Sequence, residues 1–200
     1  MALKKRSRSS LSPIIALAFQ GGIGVVGILV ILAVGIPVQV AEAGVWPSVF
    51  YGVLGAFCTY GTLLLLTRIP GLFPDNLDSQ MRGLYRFASG YSWFALFLLS
   101  VFAGIGEELL FRGALQGWLT AHTGAAIAIL SASVLFGLVH YVSFTYFIVA
   151  TVLGLVLGAA YTFTDSILLV MVWHSVYDML ALFFLLRFPG WFGITGRSEG

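Results

Sequence analysis

The sequence predicts an all-α fold, a polytopic membrane bundle of about six transmembrane helices, on three observations. Hydrophobic residues make up 60% of the 200 and charged residues 9%, against about 25% charged in ordinary soluble domains. A soluble chain of this length cannot hide so much apolar surface, and the mean hydropathy of +1.01 says the same. The apolar runs are long and unbroken, not alternating stretches of roughly ten residues, so they satisfy their backbone groups as helices and not as a barrel. The third observation is the 24 glycines, which would weaken soluble helices but let transmembrane helices approach closely.

Taken in order, Met1–Ser10 carries four basic residues and leads into apolar sequence from Leu11 to Val40. That run is longer than the ~7–15 residues of a signal-peptide core, so it reads as a retained first span, Pro13–Ile36, ended by Pro37. A linker holding Glu42 precedes a second span, Pro47–Thr67, with Trp46 and Tyr51 placed as interfacial aromatics. The segment Arg68–Gly90 is the one extended polar stretch. Within it Leu77, Met81, Leu84 and Tyr85 recur at helical spacing, predicting a short amphipathic helix on the membrane surface. A third span, Ser92–Leu119, would run roughly 42 Å at 1.5 Å per residue, and must protrude, tilt or break near Gly104–Gly106. The next apolar stretch divides near His140–Thr145 into a fourth helix ending at His140 and a fifth, Tyr146–Tyr161. Thr164–Ser166 forms a turn with Asp165, and Ile167–Leu186 is the sixth span. Gly113 and Gly117 form a Gly-x-x-x-Gly pair suited to helix packing.

The charges orient this bundle. Lys4, Lys5, Arg6 and Arg8 precede the first span, Arg68, Arg82 and Arg86 lie between the second and third, and Arg187 and Arg197 follow the sixth. With six spans all nine fall on one side, which the positive-inside rule makes cytoplasmic. The organisation expected is therefore a cytoplasmic basic N-terminus (1–12), two transmembrane helices (13–67), a cytoplasmic loop with an amphipathic helix (68–91), a helical core carrying the polar residues (92–187) and a cytoplasmic tail (188–200). Basic residues do not form a stripe interleaved with aromatics, so no nucleic-acid partner is expected. Membrane lipids are the expected surroundings. Cys58 reads as apolar packing, His122 as an interfacial residue, and Trp118 and Trp173 as packing and interface residues.

Glu107, Glu108, Arg112, His140, His174 and Asp178 lie in or beside apolar helices, where ionisable groups are costly and are functional suspects. Glu108 and Arg112, four residues apart, share a face and can pair as a structural ion pair. Glu107 is about 100° round the helix from Glu108, free to face another neighbour. His174 and Asp178 again share a face, and His140 ends a different helix one turn after Phe136. No Gly-x-Ser-x-Gly elbow is present. A convergent set of this kind can run two chemistries. A desolvated glutamate can activate water while histidines stabilise an oxyanion. Alternatively, His140, His174 and Glu107 can hold one divalent metal ion such as zinc, leaving a position for water.

The three segments, Glu107-Glu108-x-x-x-Arg112, Phe136-x-x-x-His140 and His174-x-x-x-Asp178, resemble in order and interval the motifs of the CPBP family of membrane proteases, over roughly Ser92–Leu186. That family includes CAAX prenyl endopeptidases and bacteriocin-processing or immunity (Abi-like) proteins. The resemblance implies an intramembrane endopeptidase acting on hydrophobic, lipidated or prenylated peptides and proteins, in a bacterial or archaeal cell membrane. It implies Glu107 as the water-activating base with His140 as partner, His174 and position 178 at the oxyanion, and Glu108 and Arg112 in support. It also favours the metal-independent glutamate mechanism. The usual residue at the last position is Asn; Asp178, when ionised, accepts hydrogen bonds but donates none. Two other functions compete: a non-catalytic scaffold or bacteriocin-immunity protein, and a small transporter using Glu107 and Asp178 as proton-coupled sites.

Overall fold

The computed structural model describes residues 12–69, 71–73 and 77–194, with the side chains of Leu77 and Asp78 outside the description. The orienting residues Lys4, Lys5, Arg6, Arg8 and Arg197 also lie outside the described residues. Among those described there are seven helices and no strand: α1 (Pro13–Val34), α2 (Val45–Leu66), α3 (Leu77–Ala88), α4 (Trp93–Thr123), α5 (Ala125–Val139), α6 (Phe144–Thr164) and α7 (Ile167–Arg187). A short 3₁₀ turn, Pro189–Phe192, follows.

Local chemistry accounts for the boundaries. Pro13 opens α1, where its missing N–H costs nothing, and Gly35 closes it in the left-handed conformation at φ +70°. The hydroxyls of Ser92, Ser143 and Ser166 cap α4, α6 and α7, accepting from Ala95 N (3.2 Å), Tyr146 N (3.1 Å) and Leu169 N (3.1 Å). Asp165 makes the turn between α6 and α7 in the left-handed region, at φ +43°, a conformation that a short polar side chain tolerates best after glycine.

Five helices, α1, α2, α4, α6 and α7, are long and apolar enough to cross a membrane. The fourth expected helix differs: α5 has 15 residues, so it extends only about 22 Å and stops short of a ~30 Å hydrocarbon core. The expected choice of break, tilt or protrusion in the third span also resolves. α4 runs unbroken through Gly104–Gly106 for 31 residues, and from Leu109 to Gln116 it widens into π-helical turns. Such widening recurs beside functional groups, and here it follows Glu107 and Glu108 directly.

α4 and α7 form the centre of the bundle; α1 packs on α4, α2 packs on α7, and α5 pairs with α6. The α1–α4 crossing is a backbone-to-backbone approach. A Cβ on Gly106 would stand 2.6 Å from the Gln20 carbonyl oxygen, and one on Gly24 would stand 3.1 Å from Gly106 Cα. The largest apolar cluster joins α2, α6 and α7 through Ala56, Tyr60, Leu153, Leu157, Val170 and Tyr177. Outward faces carry large apolar side chains such as Phe19, Phe94 and Phe163, suited to lipid. Cys58 belongs to that outer surface: it was expected in the packing, but its position on α2 faces away from α7. Trp173 does pack inward, over Gly55, with its indole N–H on Thr59 (3.1 Å). His122 is exposed and Trp118 lies partly so, with the His122 ring stacked obliquely on Trp118.

Candidate active site

α4 contributes two consecutive carboxylates to the interior, and they serve different neighbours. Glu108 is fully buried and its Oε1 accepts twice, from Arg112 Nη1 (2.7 Å) and from His174 Nδ1 (2.7 Å). Arg112 is 1% exposed and also donates Nη2–H to the Gly154 carbonyl (3.1 Å), while its guanidinium lies 4.8 Å from the centre of the Phe136 ring. A charge this deep is held only because carboxylate, carbonyl and ring face share it.

Glu107 points elsewhere. Its Oε1 accepts from Gln20 Nε2 of α1 (3.1 Å), and its Oε2 faces His140 Nε2 (3.4 Å) and His174 Nε2 (3.9 Å). His140 donates Nδ1–H to the Phe136 carbonyl (2.8 Å), because a carbonyl can only accept. Its Nε2 therefore meets Glu107 with the other face of the ring. The pair attracts when it holds one proton between the two atoms, or when a water donates to both. His174 is fixed in the same way: Nδ1 is committed to Glu108, leaving Nε2 toward Glu107 and toward Asp178 Oδ2 at 3.8 Å.

Phe136 is the common wall. Its ring lies 4.4 Å from the His140 ring, 5.8 Å edge-on from that of His174, and under Arg112. The structure thus brings together all six residues singled out from the sequence. The shortness of α5 is what lets His140 reach Glu107 in the middle of α4.

Glu107, His140, His174 and Asp178 open onto one cavity of about 800 Å³. Its remaining walls are mostly apolar, and it extends to Met81, Leu84 and Phe87 on α3 and to Arg68 and Trp191. The amphipathic helix therefore stands at the cavity's far end.

The second chemistry expected from the sequence needs three donors for a metal ion. Among the described residues no three His, Cys, Asp or Glu side chains are grouped so as to hold one. His140 Nε2 and His174 Nε2 stand 3.4 and 3.9 Å from one Glu107 oxygen, and Glu108 is already occupied by Arg112 and His174.

Two contacts escaped the sequence. The Glu108–His174 bond joins positions 66 residues apart, and nothing local announces it. Gln20 had a signal: it is the one amide in an otherwise apolar first span, and a polar group there needs a partner.

Residues 89–180 match the model of the family described as type II CAAX prenyl endopeptidase Rce1-like, and this segment is assigned to that CAAX-protease family. Comparison with curated proteins and with solved structures returned no match.

Proposed function

We propose, from the assignment of residues 89–180 to the Rce1-like CAAX-protease family, that this membrane protein is an endopeptidase that hydrolyses hydrophobic or lipidated peptides inside the bilayer. The observation that carries this reading is the Glu107 carboxylate, buried at 4% exposure, with one oxygen facing two histidine Nε2 atoms on the wall of a cavity large enough for a peptide.

The chemistry follows from which atoms can give and which can take. A water between Glu107 Oε2 and His140 Nε2 gives its proton to Glu107 as its oxygen attacks the peptide carbonyl carbon. The carbonyl oxygen becomes an oxyanion, which only donors can stabilise; His174, its Nδ1–H already on Glu108, gives Nε2–H when its ring carries both protons. When the C–N bond breaks, Glu107 returns the proton to the leaving amine. Products are one acid and one amine, with the water consumed. Asp178 only accepts while ionised, so it does not donate to the oxyanion; its Oδ2 lies 3.8 Å from His174 Nε2, where its charge attracts the protonated ring that Glu108 grips from the other side. The apolar walls favour an apolar chain, and a prenylated peptide is the substrate class in keeping with the family. The one-sided basic residues of the sequence support a cytoplasmic side for both termini and for the cavity end near α3.

Glu107→Gln keeps the shape and removes the base. Full-length wild type and variant, reconstituted in vesicles, are compared on a fluorogenic prenylated membrane peptide. Wild-type cleavage and a loss of at least about a hundredfold in the variant, with equal thermal stability, is the expected result. Normal cleavage by Glu107→Gln would sink the mechanism.

A further inference from the structure

The cavity walls hold polar atoms that the proposed chemistry does not use. Among the described residues, Gln20 Oε1, Tyr60 Oη and Ser100 Oγ are buried without a hydrogen-bond partner, and all three residues line the cavity beside Glu107, whose Oε2 is in the same condition. Tyr60 is 5% and Ser100 2% exposed. Native proteins leave few such atoms, and each calls for a reason.

Their orientations are held in place. Gln20 must turn Nε2 toward Glu107, since a carboxylate only accepts, and this leaves Oε1 as a bare acceptor next to the proposed base. The Tyr60 ring is clamped edge-on by Tyr177 at 5.8 Å and stacked by Phe184 at 5.5 Å, so its hydroxyl cannot swing to lipid. Ser100 precedes Glu107 by two turns of α4, on the same face. One acceptor and two hydroxyls, each of which gives and takes, match a peptide backbone with its alternating N–H and C=O. A hydrocarbon chain would leave all three unpaired.

We infer that Gln20, Tyr60 and Ser100 form a subsite that binds the backbone amides of the substrate, with Gln20 Oε1 taking the N–H nearest the scissile bond. This deepens the peptidase reading and rests on it. It also gives a task to α1 and α2: Gln20 and Tyr60 lie outside the segment 89–180 matched by the family, so the N-terminal helices supply part of substrate recognition.

The test measures binding rather than cleavage. Full-length protein in nanodiscs is titrated with a dansyl-labelled apolar tetrapeptide and, separately, with an isoprenoid alcohol that has no amide. Gln20→Met, Tyr60→Phe and Ser100→Ala should each weaken the peptide about fivefold, the worth of one ordinary hydrogen bond, and leave the alcohol unchanged or tighter. Tyr60→Phe and Ser100→Ala should not lower thermal stability, because atoms without partners stabilise nothing in the free protein. A peptide N-methylated at the amide facing Gln20 should bind wild type more weakly but Gln20→Met no more weakly than its parent. Peptide affinity unchanged across all three variants overturns the subsite, as does an equal loss for the alcohol, whether or not cleavage is seen. Peptide binding that responds to the variants in a wild type that cleaves nothing keeps the subsite and overturns the peptidase reading.

Discussion

Arg112 is buried among a carboxylate, a carbonyl and a ring, and its removal strands Glu108 with only His174 for company. Loss of one member of a buried pair typically costs on the order of 3–5 kcal/mol, so Arg112→Ala should lower the yield and thermal stability of protein purified in detergent. The double change Glu108→Leu with Arg112→Met removes both charges, and folding should largely return. Cleavage should not, because the same Glu108 oxygen that meets Arg112 also holds His174 Nδ1. A double variant with full activity would show that His174 needs no anchor. The six ionisable residues of this site were legible in the sequence because charge stands out in apolar helices. Gln20 carried a signal as the one amide of its span, whereas Tyr60 did not, since a phenol in a span costs little and is common. The Glu108–Arg112 pair was legible at its four-residue spacing, whereas the bond that ties Glu108 to another helix depends on how α4 and α7 meet.

Glycine sets the distance at which helices meet, as at the crossing of α1 and α4. Any side chain at Gly106 collides with the Gln20 carbonyl and Gly24, so Gly106→Val should push α1 away and carry Gln20 off Glu107. Overpacking of this kind costs about 1–3 kcal/mol, and thermal melts of the purified variant should show it together with reduced cleavage. Gly22→Ala in the same helix, where nothing lies within 4 Å, should melt like wild type. The helices themselves were readable, since Pro, Gly and Ser interrupt the apolar runs close to where α1, α2, α6 and α7 begin and end. The end of α5 was readable too, at His140, one residue past the observed Val139; that its 15 residues fall short of a full span was not. The π-helical stretch has no sequence signature either. Leu109–Gln116 reads like any amphipathic turn, and its widening is a property of the packed helix.

At the level of the whole chain, the expected topology is open to a direct check. With Cys58, which is exposed, changed to Ala, single cysteines at Ala43 and Asp78 should label from opposite sides of a sealed vesicle. Labelling from one side would remove the six-crossing path, and with it the cytoplasmic placement of the cavity. Apolar length pointed to six candidate crossings, five of which are long enough in the structure, but not to the depth at which polar groups meet, because depth follows from helix length and tilt together. The truncated α5 has a consequence for the lipid as well. Acyl chains beside it have only about 22 Å of apolar wall to cover, while its partners demand the full span, so the annulus there must compress, at fractions of a kcal/mol per Å. Bilayer thickness then becomes an effector. In vesicles of short-chain phosphatidylcholine the recessed end at His140 lies nearer the water and turnover should rise; in long-chain vesicles it should fall, with the melting temperature of the protein following the same order.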